Sequence, residues 1–269
     1  MIRIRSRSLP GEARDGLASY QAEIDAIASY PAKVEGAKAR FSARNKAHNP
    51  VFRVVRETLD LMCRGPRRCM YCEDAPADEI EHFHPKDLYP ELVFIWKNYL
   101  YACGPCNGPK NNQFAIIRPG SPHHLVVTRK HGDPVVAPPR GRPALINPRV
   151  EDPLQFFELD LRDTFEFVSI APAGSEEYER AEYTLRVLRL NERDYLIKAR
   201  QSAYGAFTSH VRAYISDRDR GASQRTLARI PKAIRRSHHQ TVWSEMKRQH
   251  AKIALIRPLF TAAPEALDW

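Results

Sequence analysis

No uncharged apolar run in this sequence approaches the ~18–20 residues a helix needs to cross a bilayer, so no transmembrane helix is expected. The first ten residues, MIRIRSRSLP, are basic but lack the apolar core of a signal peptide. A cytoplasmic protein is therefore expected. A Gly-rich phosphate loop of the Walker type is missing, so any nucleotide hydrolysis would have to come from another chain. Internal repeats and low-complexity tracts are missing too. What remains is ordinary for a folded chain: 43% hydrophobic and 28% charged over 269 residues, which argues against disorder and suits one large domain or two small ones.

The charge is not balanced. Lys and Arg number 42 against 32 acids, a net +10, which suits a polyanionic partner such as nucleic acid as well as plain solubility. The excess is +4 over residues 1–60, 0 over 61–120, −1 over 121–175 and +7 over 176–269. If the middle carries chemistry, the ends could supply phosphate-binding surface. A solvated, Arg-rich helix face is the competing reading.

Cysteine is scarce, at five residues, and four of them form two pairs, Cys69-Met-Tyr-Cys72 and Cys103-Gly-Pro-Cys106. A CxxC turn places two sulfurs close enough to share one ion, and two such knuckles complete a tetrahedral site. Structural zinc is the reading this favours. Disulfides fit a presumed reducing cytosol poorly, and a thioredoxin-like motif would explain one pair but not both. Four thiolates leave no open position, so this metal is not the catalytic one. Cys63 reads as a buried helix residue.

Between the knuckles lie Glu81-His82-Phe83-His84-Pro85-Lys86 and Trp96-Lys97-Asn98-Tyr99-Leu100, and Asn107 and Lys110 follow the last cysteine. Glu79 to Phe83 reads as a short strand ended by Pro85. A loop runs to about Trp96, a second strand covers Tyr99 to Ala102, and a helix begins near Pro105.

These residues resemble the HNH endonucleases of the ββα-metal, or His-Me finger, class: Glu-His-x-x-Pro, a central Asn before a short apolar strand, and Cys-Asn-x-x-Lys. The likeness covers residues 69–110. It implies His82 as general base, Glu81 and Asn107 as ligands of a catalytic divalent ion such as Mg2+, Asn98 as the residue that pins the loop, and Lys110 as a phosphate contact. Many members carry Asp where Glu81 stands and His where Asn107 stands, departures that bear on metal preference more than on the reaction.

The chemistry suits phosphodiester hydrolysis. A divalent ion offsets charge on the phosphorane and the departing oxygen, and a neutral imidazole can take a proton from water near pH 7. Neighbouring strand residues face opposite ways, so Glu81 and His82 could both serve one ion only if the strand end twists or the metal sits at the edge. Asp78 or Glu79 could replace Glu81 if the register is off by one or two. His84 could be a third ligand, a phosphate contact, a supporting group or plain surface.

Elsewhere, residues 11–64 read as helices, with breaks at Tyr30-Pro31 and Asn49-Pro50. Basic Ala37 to Lys46 is either a solvated helix or a nucleic-acid contact. Residues 118–149, rich in proline, read as loop with short extended pieces, a candidate substrate cover. Phe156–Leu161 and Thr164–Ile170 read as a hairpin, and Glu176 to Phe260 as helical, with Asn191 and Asp194 as a capping pair. The fold class is therefore α+β: a predominantly helical chain enclosing a zinc-stapled strand–strand–helix, with a further hairpin. The expected organisation is a helical region over 1–66, the nuclease core over 67–118, and a basic C-terminal region over 119–269.

A second resemblance rests on Glu-His-Phe-x-Pro-Lys, Trp-x-Asn-Tyr-Leu, Ile146-Asn147-Pro148, Glu151-Asp152-Pro153 and Leu188-Arg189-Leu190-Asn191. These look like the HNH proteins of retron and Septu-type bacterial defence systems. The likeness implies a nuclease acting on invading or host nucleic acid beside an ABC-type ATPase subunit. DNA is the leading substrate. An RNA-directed toxin and a non-catalytic zinc module that binds nucleic acid or a partner stay open as alternatives.

Overall fold

The computed structural model describes residues 1–63 and 65–269. Arg64, at the end of the expected N-terminal helical stretch, lies outside them. Three helices open the chain: α1 (Gly11–Asp25), α2 (Tyr30–Arg44) and α3 (Pro50–Met62). The breaks expected at Tyr30-Pro31 and Asn49-Pro50 are helix starts. Ser29 accepts from the Ala32 amide and Asn49 from the Phe52 amide, with proline in the first turn, where its missing N–H costs nothing. α3 buries Phe52, Val55, Leu59 and Met62, a spacing that lines up one helical face.

Next, β1 (Glu79–His82) and β2 (Tyr99–Ala102) pair antiparallel, with Glu81 opposite Leu100 and His82 opposite Tyr99. The loop between them carries two 3-10 turns, Pro90–Leu92 and Trp96–Asn98. α4 (Gly104–Lys110) follows at once, with Pro105 in its first turn. The order strand, loop, strand, helix matches the expectation from sequence.

The proline-rich stretch is more ordered than expected. β3 (Ala115–Ile117), β4 (His124–Val126) and β5 (Arg142–Pro143) form one sheet in the order β4-β3-β5. β6 (Phe157–Leu159) and β7 (Phe167–Ser169) form the expected hairpin, shorter than expected. Its turn is held by Asp160, which accepts from the amides of Arg162 and Thr164, each at 3.0 Å. The helices α5 (Glu176–Val187), α6 (Asp194–Asp219), α7 (Gln224–Leu227), α8 (Arg229–Arg235), α9 (Gln240–Gln249) and α10 (Arg257–Ala262) complete the chain. The capping pair expected at Asn191 and Asp194 is not formed. Asn191 instead accepts from the Phe167 amide and donates to the Phe167 carbonyl, fastening the hairpin to α6, whose start has no side-chain cap.

The chain is thus mixed helix and sheet, 49% helical and 8% strand. All strand pairings are antiparallel, as in α+β proteins. No helix among the described residues is long and apolar enough to cross a membrane. Buried apolar side chains from Met1 to Ala266 form one contiguous cluster that includes Tyr99, Leu100 and the four paired cysteines.

Candidate active-site groove and cysteine cluster

Both CxxC segments fold as tight turns. The Glu73 amide donates to the Cys69 carbonyl at 2.9 Å, and the Asn107 amide to the Cys103 carbonyl at 2.9 Å. Glu73 closes the first knuckle at φ +63°, a conformation that turns need and that most side chains avoid. The four sulfurs lie within 4.8 Å of one another, and Cys72 and Cys103 Sγ are 3.8 Å apart. A tetrahedral ion with metal–sulfur bonds of about 2.3 Å would set its sulfurs about 3.8 Å apart, so the cluster fits a metal such as zinc. Its surroundings suit thiolates. The Tyr71 amide donates to Cys69 Sγ at 3.4 Å, and Arg193 Nη2 to Cys106 Sγ at 3.3 Å, and such donors around sulfur tune and orient metal ligands. Among the described residues no other group of three His, Cys, Asp or Glu side chains converges in this way. Cys63 stands apart at the end of α3, and burial pushes its thiol up to about 11.

α4 packs across the strand face that carries Glu79 and Glu81, and the two carboxylates meet different partners. Glu81 is 2% exposed and forms an ion pair with fully buried Lys110. Tyr71 Oη donates to the same carboxylate at 3.0 Å. Lys110 Nζ also donates to the His82 carbonyl at 2.7 Å. The resemblance implied a metal ligand at Glu81 and a phosphate contact at Lys110, and the packing turns both side chains inward. Lys110 is sealed beneath α4 and cannot meet a phosphate in this conformation, and Glu81 is engaged internally. One turn earlier, Asn107 Nδ2 donates to Glu79 Oε2 at 2.6 Å at the surface. The carboxylate that faces Asn107 is therefore Glu79, the register alternative. Gly104 leaves it room, since a Cβ there would stand 3.3 Å from Glu79 Oε1.

His82 follows the strand alternation and points to the other face. Its ring packs edge-on against Phe41 of α2, with centroids 4.4 Å apart, and against Tyr99 at 5.2 Å. Its Nε2 lies 2.9 Å from the Val93 carbonyl oxygen. A carbonyl can only accept, so Nε2 carries the proton and Nδ1 is left with a lone pair. Burial, followed by the charge of Lys86, pulls the imidazole down to about 3, so the ring is neutral at physiological pH.

His82 nevertheless reaches an open cavity of about 450 Å³, whose lining also includes Glu79, Asp78, Asn107, Arg56 and Lys86. The cavity thus brings together an imidazole, an acid–amide pair and two cations from outside that pair. Arg56 comes from α3. Its guanidinium is held by the Asn45 side chain and by the Phe52 carbonyl at 3.2 Å, so it is positioned in advance. Lys86 lies 5.8 Å from the Phe41 ring.

The long loop is fastened by Asn98. Its amide donates to the carbonyls of His84 and Leu92, both at 3.0 Å, and accepts from the His84 amide at 2.8 Å. This holds the segment that supplies the Val93 carbonyl. His84 sits away from the groove among Phe83, Tyr89 and Phe114, with burial lowering it to about 4. It does not join Asn107 and Glu79.

Sequence reasoning missed Arg56, which comes from a helix far upstream and carries no local signal, and it placed Phe41 and Asn45 only within the basic stretch Ala37 to Lys46, without pointing to the groove. It also missed the Val93 carbonyl, since any residue supplies one. Lys86, four residues after His82 in Glu-His-Phe-His-Pro-Lys, was within reach of spacing alone.

Over 57 residues the chain is 44% identical to the Septu protein PtuB of Bacillus thuringiensis. The similarity covers 19% of this chain and 22% of PtuB, so the chain spans well under two thirds of that relative. No family model matches the chain, and no solved structure matches it.

Proposed function

We propose that this protein is a metal-dependent endonuclease of the HNH type that hydrolyses phosphodiester bonds of DNA. The observation that carries the reading is the shared cavity: His82, fixed by the Val93 carbonyl with Nδ1 free, lines the same groove as Glu79 and Asn107. His82 Nδ1 accepts the proton of an attacking water, and the Nε2 contact keeps the ring in the tautomer that can do so. Arg56 and Lys86 hold the anionic phosphodiester against that base. Glu79 and Asn107, with Asp78 at the rim, are the oxygen donors that would hold a divalent ion such as Mg2+, a ligand type hard cations favour. When bound, that ion would offset charge on the phosphorane and the leaving oxygen. Asn98 keeps the loop in register. The four cysteines hold structural zinc and fix the start of α4 relative to β1, and so Asn107 relative to Glu79.

The partial similarity to a Septu protein supports a role in bacterial anti-phage defence in the cytoplasm, beside an ABC-type ATPase that would supply the nucleotide-hydrolysing step this sequence lacks. The test is cleavage of supercoiled plasmid with Mg2+ or Mn2+, by the chain alone and with a co-expressed ATPase. The reading expects nicked or linear product from the parent and none from His82→Ala with zinc content intact. Undiminished cleavage by His82→Ala would end it. A chain that binds DNA in a salt-sensitive way but never cuts it would point to a non-catalytic zinc module, and cleavage confined to RNA would move the substrate.

A further inference from the structure

A second cavity, of about 600 Å³, lies where the N-terminal segment meets the Trp96–Asn98 turn. Two sequence segments that the groove does not use line it. Trp96 and Lys97 come from Trp-Lys-Asn-Tyr-Leu, and Arg149 directly follows Ile-Asn-Pro. Arg7 and Arg14 complete its charged lining, and no carboxylate is among the residues that form it. Its volume is within the range of small-ligand sites.

Arg149 is the informative residue. It is 7% exposed, and its guanidinium stacks 4.6 Å from the Trp96 ring centroid. Nη1 donates to the Trp96 carbonyl at 2.7 Å and the Tyr99 carbonyl at 2.5 Å. Nε and Nη2 have no partner, and no carboxylate pairs with Arg149 among the described residues. A buried cation without a counter-charge is costly, and its field reaches further in a low-dielectric surround. Burial already depresses this guanidinium, to about 10. Of the rim cations, Lys97 is exposed with no ion pair among the described residues, Arg14 pairs with exposed Asp15, and Arg7 donates to the Leu61 carbonyl. The surplus positive charge therefore lines an open cavity that also carries an aromatic ring.

We infer that this cavity binds a nucleotide unit, with its phosphate against the Arg7, Arg14 and Lys97 side chains, in the field of the buried Arg149 charge, and its base against Trp96. An aromatic ring beside phosphate-binding cations is the arrangement that single nucleotides and single strands require. The inference goes beyond the groove reading and needs no cleavage. The same chemistry is offered by a free nucleotide and by one residue of a polynucleotide.

The test follows quenching of tryptophan fluorescence in the full chain with no divalent ion added, using AMP in one titration and a short oligo(dT) in the other. Trp243 and Trp269 do not line the cavity, so Trp96→Phe should abolish the signal. Arg149 also anchors two loop carbonyls and its removal could unfold the region, so the rim variants Lys97→Glu and Arg14→Glu carry the test. Each should weaken binding about tenfold while leaving the melting temperature unchanged. Quenching by oligo(dT) alone would identify a strand as the occupant, and quenching by AMP a free nucleotide. Absence of quenching by both probes, or equal affinity in the parent and in both charge-reversed variants, would overturn the inference.

Discussion

Glu79 and Glu81 sit two residues apart on the same face of β1, and Asn107 and Lys110 sit three apart on the same face of α4. Two parallel pairs result, with opposite fates. Glu81 and Lys110 are sealed and satisfied by each other and by Tyr71, whereas Glu79 and Asn107 meet at the edge of an open groove beside His82. A buried pair of opposite charges has its electrostatic needs met internally. A carboxylate paired with a neutral amide keeps its charge for something else. The same strand–helix contact therefore makes a strut at one end and a candidate ion site at the other.

The comparison can be broken at its foundation first. On the proposed reading a metal in the cysteine cluster docks α4 and both pairs depend on it, so Cys72→Ser or Cys103→Ser should have the largest effect. Structural zinc contributes apparent folding free energy of roughly 10 kcal/mol or more. Such variants should lose bound zinc by elemental analysis, along with the cooperative melt of this region; an unchanged melting temperature would show that no metal joins the knuckles. Next comes His82→Ala. If His82 is the base the proposal makes it, its removal should lower the cleavage rate by roughly 10²–10⁴-fold at constant zinc content, read by plasmid nicking.

Third, Lys110→Met leaves Glu81 as a buried unpaired charge and should destabilise the fold by about 3–5 kcal/mol, measured by denaturant unfolding. The double variant Lys110→Met with Glu81→Leu should recover most of that loss, because neither charge then remains buried. A single variant as stable as the parent would mean that the strut is not formed. The smallest effect is on the far wall of the groove. Arg56→Ala should raise KM about tenfold, the scale of one lost charge-assisted contact, with little change in kcat and a stronger response to salt.

Much of this region was legible because its signals are local. CxxC turns, Pro85 after a short apolar strand and Pro105 at a helix start each act within a few residues, and together they yield strand, strand and helix at the right places. Asn98 likewise stands out in the sequence before β2, and its side chain hydrogen-bonds to His84 and Leu92. What the sequence left open was the choice between neighbours on a common face, Glu79 or Glu81. Nothing in the spacing says whether α4 seats Asn107 over Glu79 or over Glu81, since that depends on how the helix rolls across the strand. The same blindness hid Arg56 and Phe41, which reach the groove only through tertiary packing of α2 and α3. It also misassigned Asn191, in the turn before α6, whose amide bonds to Phe167 of the hairpin instead of to its own helix.

The most direct measurement compares Glu79→Gln with Glu81→Gln, reading metal-dependent plasmid cleavage and melting temperature on the same preparations. Glu79→Gln should melt like the parent yet cut poorly, with activity partly restored at higher Mg2+ or Mn2+. Glu81→Gln should melt at a lower temperature because Lys110 loses its counter-charge. Full cleavage by Glu79→Gln, with Glu81→Gln stable but inactive, would contradict the assignment and return the ion site to the other end of the strand.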